Sequence, residues 1–302
     1  MPVSNLVTLH AALFSVQYSS AKAWIDSELE VSAVVGHNFG QLTVLCISGT
    51  ISLPDALKLV AERASIMLRY WGPEPGSTIF LQADRQKVSE ILNSLEAQGD
   101  GDNAEVACYN GPKSHVVVGS AKAINALEKT TTSNPSLRDS IATKRLKVTH
   151  GFHSKFTEPL LPHLTALAKE VIWRRPPIHL ETCDEVQSVA EPDFRLVVEH
   201  MRRPVFSQRA VERLAQRFSQ RLWLEAGRGS SVIQLVRGSV AETQGQMFLS
   251  PPLTTSNARG SLTDITIDLW KEGYAVQYWP FHRSQKSQYE LLSLPPYQFK
   301  KT

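Results

Sequence analysis

Val31-Ser-Ala-Val-Val-Gly-His-Asn-Phe-Gly-Gln-Leu-Thr-Val-Leu-Cys-Ile-Ser48 is the most informative stretch of this 302-residue chain. Val31 to Val35 is a short β-branched run and reads as a strand. Gln41 to Ser48 is apolar at helical spacing. Between them lies Gly36-His-Asn-Phe-Gly40, a tight turn with glycine at both ends. That spacing matches a nucleophile elbow, G-x-S-x-G, in which a sharp strand-to-helix turn lifts one side chain clear of the sheet. The helix that follows turns its N-terminus toward any developing oxyanion. Asn38 occupies the centre, where Ser or Cys belongs. By itself the pentapeptide reads as a plain glycine turn, and its surroundings change that reading.

Working outward, Leu6 to Leu29 places apolar residues at helical spacing, and Pro54 to Tyr70 forms a further helix with Asp55 in its first turn. From Ser77 the rhythm changes. Strand 78–82, helix 85–98, strands 104–110 and 115–118, helix 120–129 and strand 141–149 follow in the order βαββαβ, a ferredoxin-like arrangement. After Gly151 come helices 156–170 and 205–219, a short strand 222–225, a helix 264–272 and a Trp/Pro/Tyr-rich tail. The expected fold is α/β. A parallel-sheet core of α/β-hydrolase type, residues 1–76 and 150–260, is interrupted by a ferredoxin-like α+β subdomain at 77–149 and followed by a segment at 261–302.

Composition narrows the function classes. Lys+Arg 32 against Asp+Glu 29 leaves a net charge of +3, too small an excess to be a nucleic-acid footprint. Three cysteines, Cys46, Cys108 and Cys183, lie far apart without metal-ligand spacing. The start lacks a basic n-region and a cleavage site, and no apolar run is long enough to span a bilayer. These features predict a cytoplasmic, reduced protein with no membrane or nucleic-acid partner.

Three segments carry a resemblance. Val34-Val-Gly-His-Asn-Phe-Gly-Gln-Leu-Thr43 resembles the active-site segment of acyltransferase domains in polyketide and fatty acid synthases, V-x-G-H-S-x-G-E/Q-x-x-A. Arg63, 25 positions after Asn38, stands where that family places the arginine that holds the free carboxylate of malonyl-CoA. His150-Gly-Phe-His153 resembles the family's H-A-F-H signature, which implies His153 as general base and malonyl as the acyl group. Tyr109-Asn-Gly-Pro112, Leu224-Glu-Ala-Gly227, Trp270-Lys-Glu-Gly273 and Leu294-Pro-Pro-Tyr-Gln-Phe299 resemble further family pieces. The last two lie in the post-acyltransferase linker of fungal iterative synthases, which assigns 261–302 to that linker.

The resemblance implies loading of malonyl from malonyl-CoA onto the phosphopantetheine of an acyl carrier protein in polyketide, that is secondary metabolite, biosynthesis. It implies no cofactor and no metal. Asn38 stands at the nucleophile position and His153 at the base position. Arg63, His37, Phe39, His150, Phe152 and Asn110 are the expected substrate-binding residues. The chain also departs from the pattern. Asn38 has no hydroxyl or thiol, so an acyl-enzyme cannot form there, and loss of the nucleophile costs on the order of a million-fold in a serine hydrolase. Asn is among the few non-Gly residues that tolerate the positive φ of an elbow centre. No G-Q-G loop precedes the first helix, so the chain reads as N-terminally truncated with a main sheet one strand short. Arg228 replaces the proline of E-x-G-P, and Gly151 replaces the alanine of H-A-F-H. The alternative reading is a non-catalytic pseudo-acyltransferase or synthase fragment that binds carrier protein or synthase. An arginine stripe, Arg202, Arg203, Arg209, Arg213, Arg217 and Arg221, reads as a solvated helix face or as a docking surface for an acidic carrier protein.

Overall fold

The structure, a computed structural model, describes residues 5–280 apart from 102–103, 139, 187–190, 219–220, 228, 230, 241–242, 254–255 and 279, together with Ser293. Arg228, Ser219 and the Leu294 to Phe299 piece therefore lie outside the described residues. In chain order the elements are α1 (Leu6–Asp26), β1 (Ala33–Val35), α2 (Gly40–Ile47), α3 (Leu53–Tyr70), β2 (Ser77–Gln82), α4 (Arg85–Ala97), β3 (Glu105–Gly111), β4 (Ser114–Gly119), α5 (Ala121–Ser133), α6 (Pro135–Arg138) and β5 (Ala142–Arg145). A 3₁₀ turn at Lys155–Leu160 leads to α7 (Leu161–Lys169), β6 (His179–Glu181), α8 (Arg195–Arg202), α9 (Ser207–Arg217), β7 (Arg221–Leu224), α10 (Ser231–Ser239), β8 (Gln246–Leu249) and α11 (Ala258–Lys271).

Local chemistry sets the element ends. Asn5 caps α1, its Oδ1 accepting from the Val7 and Thr8 amides at 2.8 and 3.3 Å. Ser52 caps α3, accepting from the Asp55 amide at 3.2 Å and donating to its carboxylate at 2.7 Å, which satisfies an otherwise orphaned N–H. The expected helix 156–170 starts late. Pro159 interrupts the pattern, so the chain runs as a 3₁₀ turn until α7 begins with Pro162 in its first turn, where proline is tolerated.

The hydrophobic face of α1 packs on α2 and α3, and α3 packs in turn on α7. Phe14, Leu42, Leu45, Leu59, Val60, Met67, Leu160 and Leu164 are buried in this main core. Parallel pairing occurs in two separate two-stranded sheets, β1 with β6 (Val34↔Leu180) and β7 with β8 (Trp223↔Phe248). The four-stranded sheet has the order β3-β4-β2-β5, antiparallel throughout, with its own core around Ile79, Leu81, Ile91, Val117, Ile124 and Leu127. The fold is α/β, and the βαββαβ order appears where the periodicity placed it. β5 is four residues long, against the nine expected for 141–149.

A backbone seam joins β3 to Val205 and Phe206, and through them to Cys183, two residues beyond β6. Tyr109 N–H donates to the Val205 carbonyl and Val205 N–H to that of Ala107, both at 2.8 Å, and Phe206 N–H donates to the Cys183 carbonyl. The arginine stripe largely belongs to this framework. Arg213 grips the buried Glu181 carboxylate through Nε and Nη2 at 3.0 and 2.8 Å, and donates to the Thr182 and Asp184 carbonyls. Arg202 pairs with Glu105 and Glu158, Arg203 with Glu199 and Arg209 with Glu212. Arg217 lies over the Phe218 ring. Most of the charges that suggested a docking face are neutralised within the fold.

Candidate active site

The turn from β1 into α2 is a strained elbow. Asn38 has φ +49°, left-handed backbone that few side chains adopt. The Gly40 N–H donates to the His37 carbonyl and the Gln41 N–H to the Asn38 carbonyl, at 2.9 and 3.0 Å, which starts the helix immediately beyond the bend. The two glycines do different work, contrary to the reading that both enable the turn. A Cβ on Gly36 would overlap the backbone of Gly40 and Gln41, whereas one on Gly40 would meet nothing within 4 Å. Gly36→Ala is therefore expected to destabilise the protein by about 2–4 kcal/mol through forced backbone displacement. Gly40→Ala, in the first turn of α2, is expected to change stability by less than about 1 kcal/mol. Urea unfolding of the two variants checks the contrast.

His153 reaches the same place from a second strained residue, φ +59°. Its Nδ1 faces the His200 carbonyl at 2.8 Å and the Arg203 carbonyl at 3.2 Å. Carbonyls only accept, so Nδ1 carries the proton and the neutral ring presents its lone pair at Nε2. That atom is buried and has no partner among the described residues. Behind the loop, Ser154 Oγ donates to the Gly151 carbonyl at 2.5 Å, and Arg202, tied to Glu105 and Glu158, pins α8 to β3 and to the 3₁₀ turn. The glycine at 151 has a steric reason here. A Cβ on it would lie 2.8 Å from Val118 and 3.2 Å from Phe156.

Arg63, on the inner face of α3, is 4% exposed. Its Nη1 donates to His10 Nδ1 at 3.4 Å, its Nη2 points at the Met201 sulfur at 3.3 Å, and Phe152 lies under the guanidinium at 5.3 Å. Among the described residues no carboxylate pairs with it. Burial draws its pKa down to about 10, so it remains a cation at neutral pH. His150 and Phe152 pack against Trp71 at ring-centroid distances of 4.4 and 5.4 Å, and Phe39 packs against His10 at 5.2 Å. His37 donates through Nε2 to Asn110 Oδ1 at 2.8 Å, which also accepts from Ser207 Oγ at 3.0 Å. The Asn110 carbonyl oxygen is thus turned to His37 and Ser207, tying β3 to the elbow.

Asn38, His37, Phe39, Arg63, His150, Phe152, His153 and Asn110 therefore gather around one elbow. His10, His200 and Met201 join them without having been anticipated. The His200 ring lies 5.0 Å from that of His153. His10 carried one legible signal, a polar residue within the apolar periodicity of α1. His200 and Met201 carried none, because α8 lies in a stretch where no element had been predicted. Among the described residues no three His, Cys, Asp or Glu side chains group as metal ligands.

Five histidines around an unpaired arginine give the site its electrostatics. Burial first, then the Arg63 and His150 charges, lowers His10 to about 4. Burial first, opposed by its two carbonyls and aided by His37 and Arg63, lowers His153 to about 3. Burial likewise depresses His37, His150 and His200. Each ring is neutral when folded and titrates near 6.5 when unfolded, so below that pH the unfolded chain binds more protons. For His10 and His153 that stability is fully present above pH 6.5 and is lost as pH falls from 6.5 toward 4, by about 1.4 kcal/mol per pH unit for each of these two rings. Urea unfolding between pH 7.5 and 4 measures the slope, and a stability that is flat or rises on acidification contradicts it.

Residues 2–242 match the acyl transferase domain family. The chain is 42% identical over 301 residues to the non-reducing polyketide synthase pkbA of Emericella nidulans, covering 100% of this chain and 12% of that protein. It is 43% identical over 302 residues to methylphloroacetophenone synthase of Cladonia uncialis, covering 99% and 12%. The chain thus spans 12% of the length of these curated relatives. The acyltransferase domain from the second module of the salinomycin polyketide synthase superposes with a TM-score of 0.82 at 25% identity, over 96% of this chain and 65% of that one. A malonyl-transacylase solved with its type II polyketide synthase acyl-carrier protein shares the fold, with a TM-score of 0.73 at 18% identity over 86% and 82%.

Proposed function

This chain belongs to the acyl transferase domain family, and from that premise we propose that it binds malonyl-type acyl-CoA in polyketide biosynthesis, with ping-pong transfer blocked at Asn38. The observation that carries the reading is Arg63. A guanidinium buried without a carboxylate is costly unless something anionic arrives, and a planar fork of donors suits the two oxygens of a carboxylate. The neutral rings around it add no competing charge. Phe152 and Trp71 wall the same space with apolar surface.

In a relative with serine at the elbow, His153 Nε2 would take the hydroxyl proton as the serine attacked the thioester, then return it to the departing CoA thiol. The acyl group would next pass to the phosphopantetheine thiol of a carrier protein. Here the first bond cannot form. We assign His153 the base position, Arg63 the carboxylate, and His37, Phe39, His150, Phe152 and Asn110 the walls and supports of the acyl pocket. Residues 261–302 are assigned to the linker, and the protein to the cytoplasm. No described helix is long and apolar enough to cross a membrane.

Asn38 itself favours a second reading, a non-catalytic module that binds a carrier protein or synthase. Labelled malonyl-CoA separates the two. Equilibrium binding of the label to this chain supports the first reading, and binding of a carrier protein without any binding of the label supports the second. Calorimetric titration with malonyl-CoA and with acetyl-CoA tests the carboxylate site directly. Preference for malonyl-CoA is expected, and equal affinity for both would remove the role given to Arg63.

A further inference from the structure

The elbow has lost its nucleophile, yet the base beside it keeps its working geometry. His153 Nδ1–H is held by the His200 and Arg203 carbonyls, which aims Nε2 and fixes its tautomer. Nε2 is buried and accepts no hydrogen bond from any described residue. Asn38 sits at the centre of the elbow, and its carboxamide carries N–H donors of the kind such an acceptor takes. It does not close onto His153. A buried acceptor with no protein donor costs roughly 1–3 kcal/mol, and His150 Nδ1 and His200 Nε2 are in the same state, so the cluster is short of donors among the described residues. The lone pair therefore faces a donor that comes with substrate or solvent.

We propose that this chain hydrolyses malonyl-type thioesters directly, His153 Nε2 activating water against a substrate held by its carboxylate at Arg63. The inference rests on the reading that Arg63 takes that carboxylate. The water oxygen adds to the thioester carbonyl carbon as one of its protons moves to Nε2. The carbonyl oxygen becomes an oxyanion, for which the Asn38 carboxamide supplies N–H donors that serine would lack. The intermediate collapses with cleavage of the C–S bond, and Nε2–H returns its proton to the departing thiolate. The products are malonate and free CoA thiol. The new carboxyl loses its remaining proton to solvent, and no oxidation state changes.

Binding and reaction are coupled by charge. Arg63 is among the groups that hold His153 below its ordinary pKa. A carboxylate on the guanidinium cancels that influence, so the ring becomes more basic when substrate is present. A serine hydrolase stripped of a catalytic residue still exceeds the uncatalysed rate by about 10³–10⁴ through binding and oxyanion stabilisation alone. A similar enhancement is expected here.

The test incubates the full chain with malonyl-CoA and follows thiol release, intact mass and calorimetric binding together. Steady thiol release about 10³-fold above solution, with no burst and no covalent malonyl adduct, is the expected result. His153→Asn and His153→Gly both tolerate the left-handed backbone at φ +59° and lack the base. Each is expected to lower release by about 10²–10³, back toward the solution rate, while thermal melting and malonyl-CoA binding persist. Binding without release above these variants overturns the hydrolysis and leaves the carboxylate reading standing. Absence of malonyl-CoA binding overturns that reading, and the hydrolysis with it. Release accompanied by an adduct overturns direct attack by water.

Discussion

Asn38→Ser is expected to make the chain form a covalent malonyl adduct that the unsubstituted chain cannot form. Serine restores an oxygen that can attack the thioester, beside an imidazole whose lone pair is already aimed by the His200 and Arg203 carbonyls. Loss of such a nucleophile costs about a million-fold in turnover in a well-studied serine hydrolase, so the gain is expected to approach that size. It has a stability cost. At φ +49° asparagine is tolerated better than serine, and the substitution is expected to destabilise by roughly 1 kcal/mol. Intact-mass spectrometry after brief exposure to malonyl-CoA reads the adduct, and chemical denaturation reads the cost. A folded Asn38→Ser chain that binds malonyl-CoA and stays unlabelled would remove His153 from the role of base.

Arg63→Met should separate function from stability. The guanidinium is enclosed by a histidine nitrogen at 3.4 Å, a thioether sulfur at 3.3 Å and an aromatic face at 5.3 Å, none of which balances a full charge. Methionine fills comparable volume without the desolvation penalty, so the melting temperature is expected to hold or rise. Binding moves the other way. Losing a buried charge pair to the ligand costs about 3–4 kcal/mol, a 10²–10³-fold weaker affinity for malonyl-CoA, while acetyl-CoA affinity is little changed. Arg63→Lys keeps the charge without the planar fork, and an intermediate loss is expected. A structural arginine would show the reverse pattern, with lower stability and unchanged discrimination between the two thioesters.

Much of the framework was legible because its causes are local. The strand, turn and helix at 31–48, the long α1 and α3, and the βαββαβ order follow from side-chain period and capping residues within a few positions. The elbow was legible for the same reason. A left-handed residue between a strand and a helix demands glycine nearby, and asparagine at its centre is compatible with that backbone. Misreadings arose where proline broke a periodic segment, as at Pro159, or where a strand was too short to show a period, as at His179–Glu181.

The sequence alone thus determined the long helices, the βαββαβ unit, the elbow and, through motif spacing, eight of the residues that meet there. Only the tertiary structure decided what those residues do to one another. Arg63 is held by His10 and Met201 from 53 and 138 positions away, and His153 is aimed by a carbonyl 47 positions along the chain. The arginine stripe became a set of fasteners because Glu181, Glu105 and Glu158 folded against it. Backbone period and turn sterics act between neighbours in sequence. Desolvation, hydrogen-bond partnership and the depressed pKa values of five histidines arise only when distant segments pack, and those properties underlie the proposal of a carboxylate site beside the glycine-flanked turn.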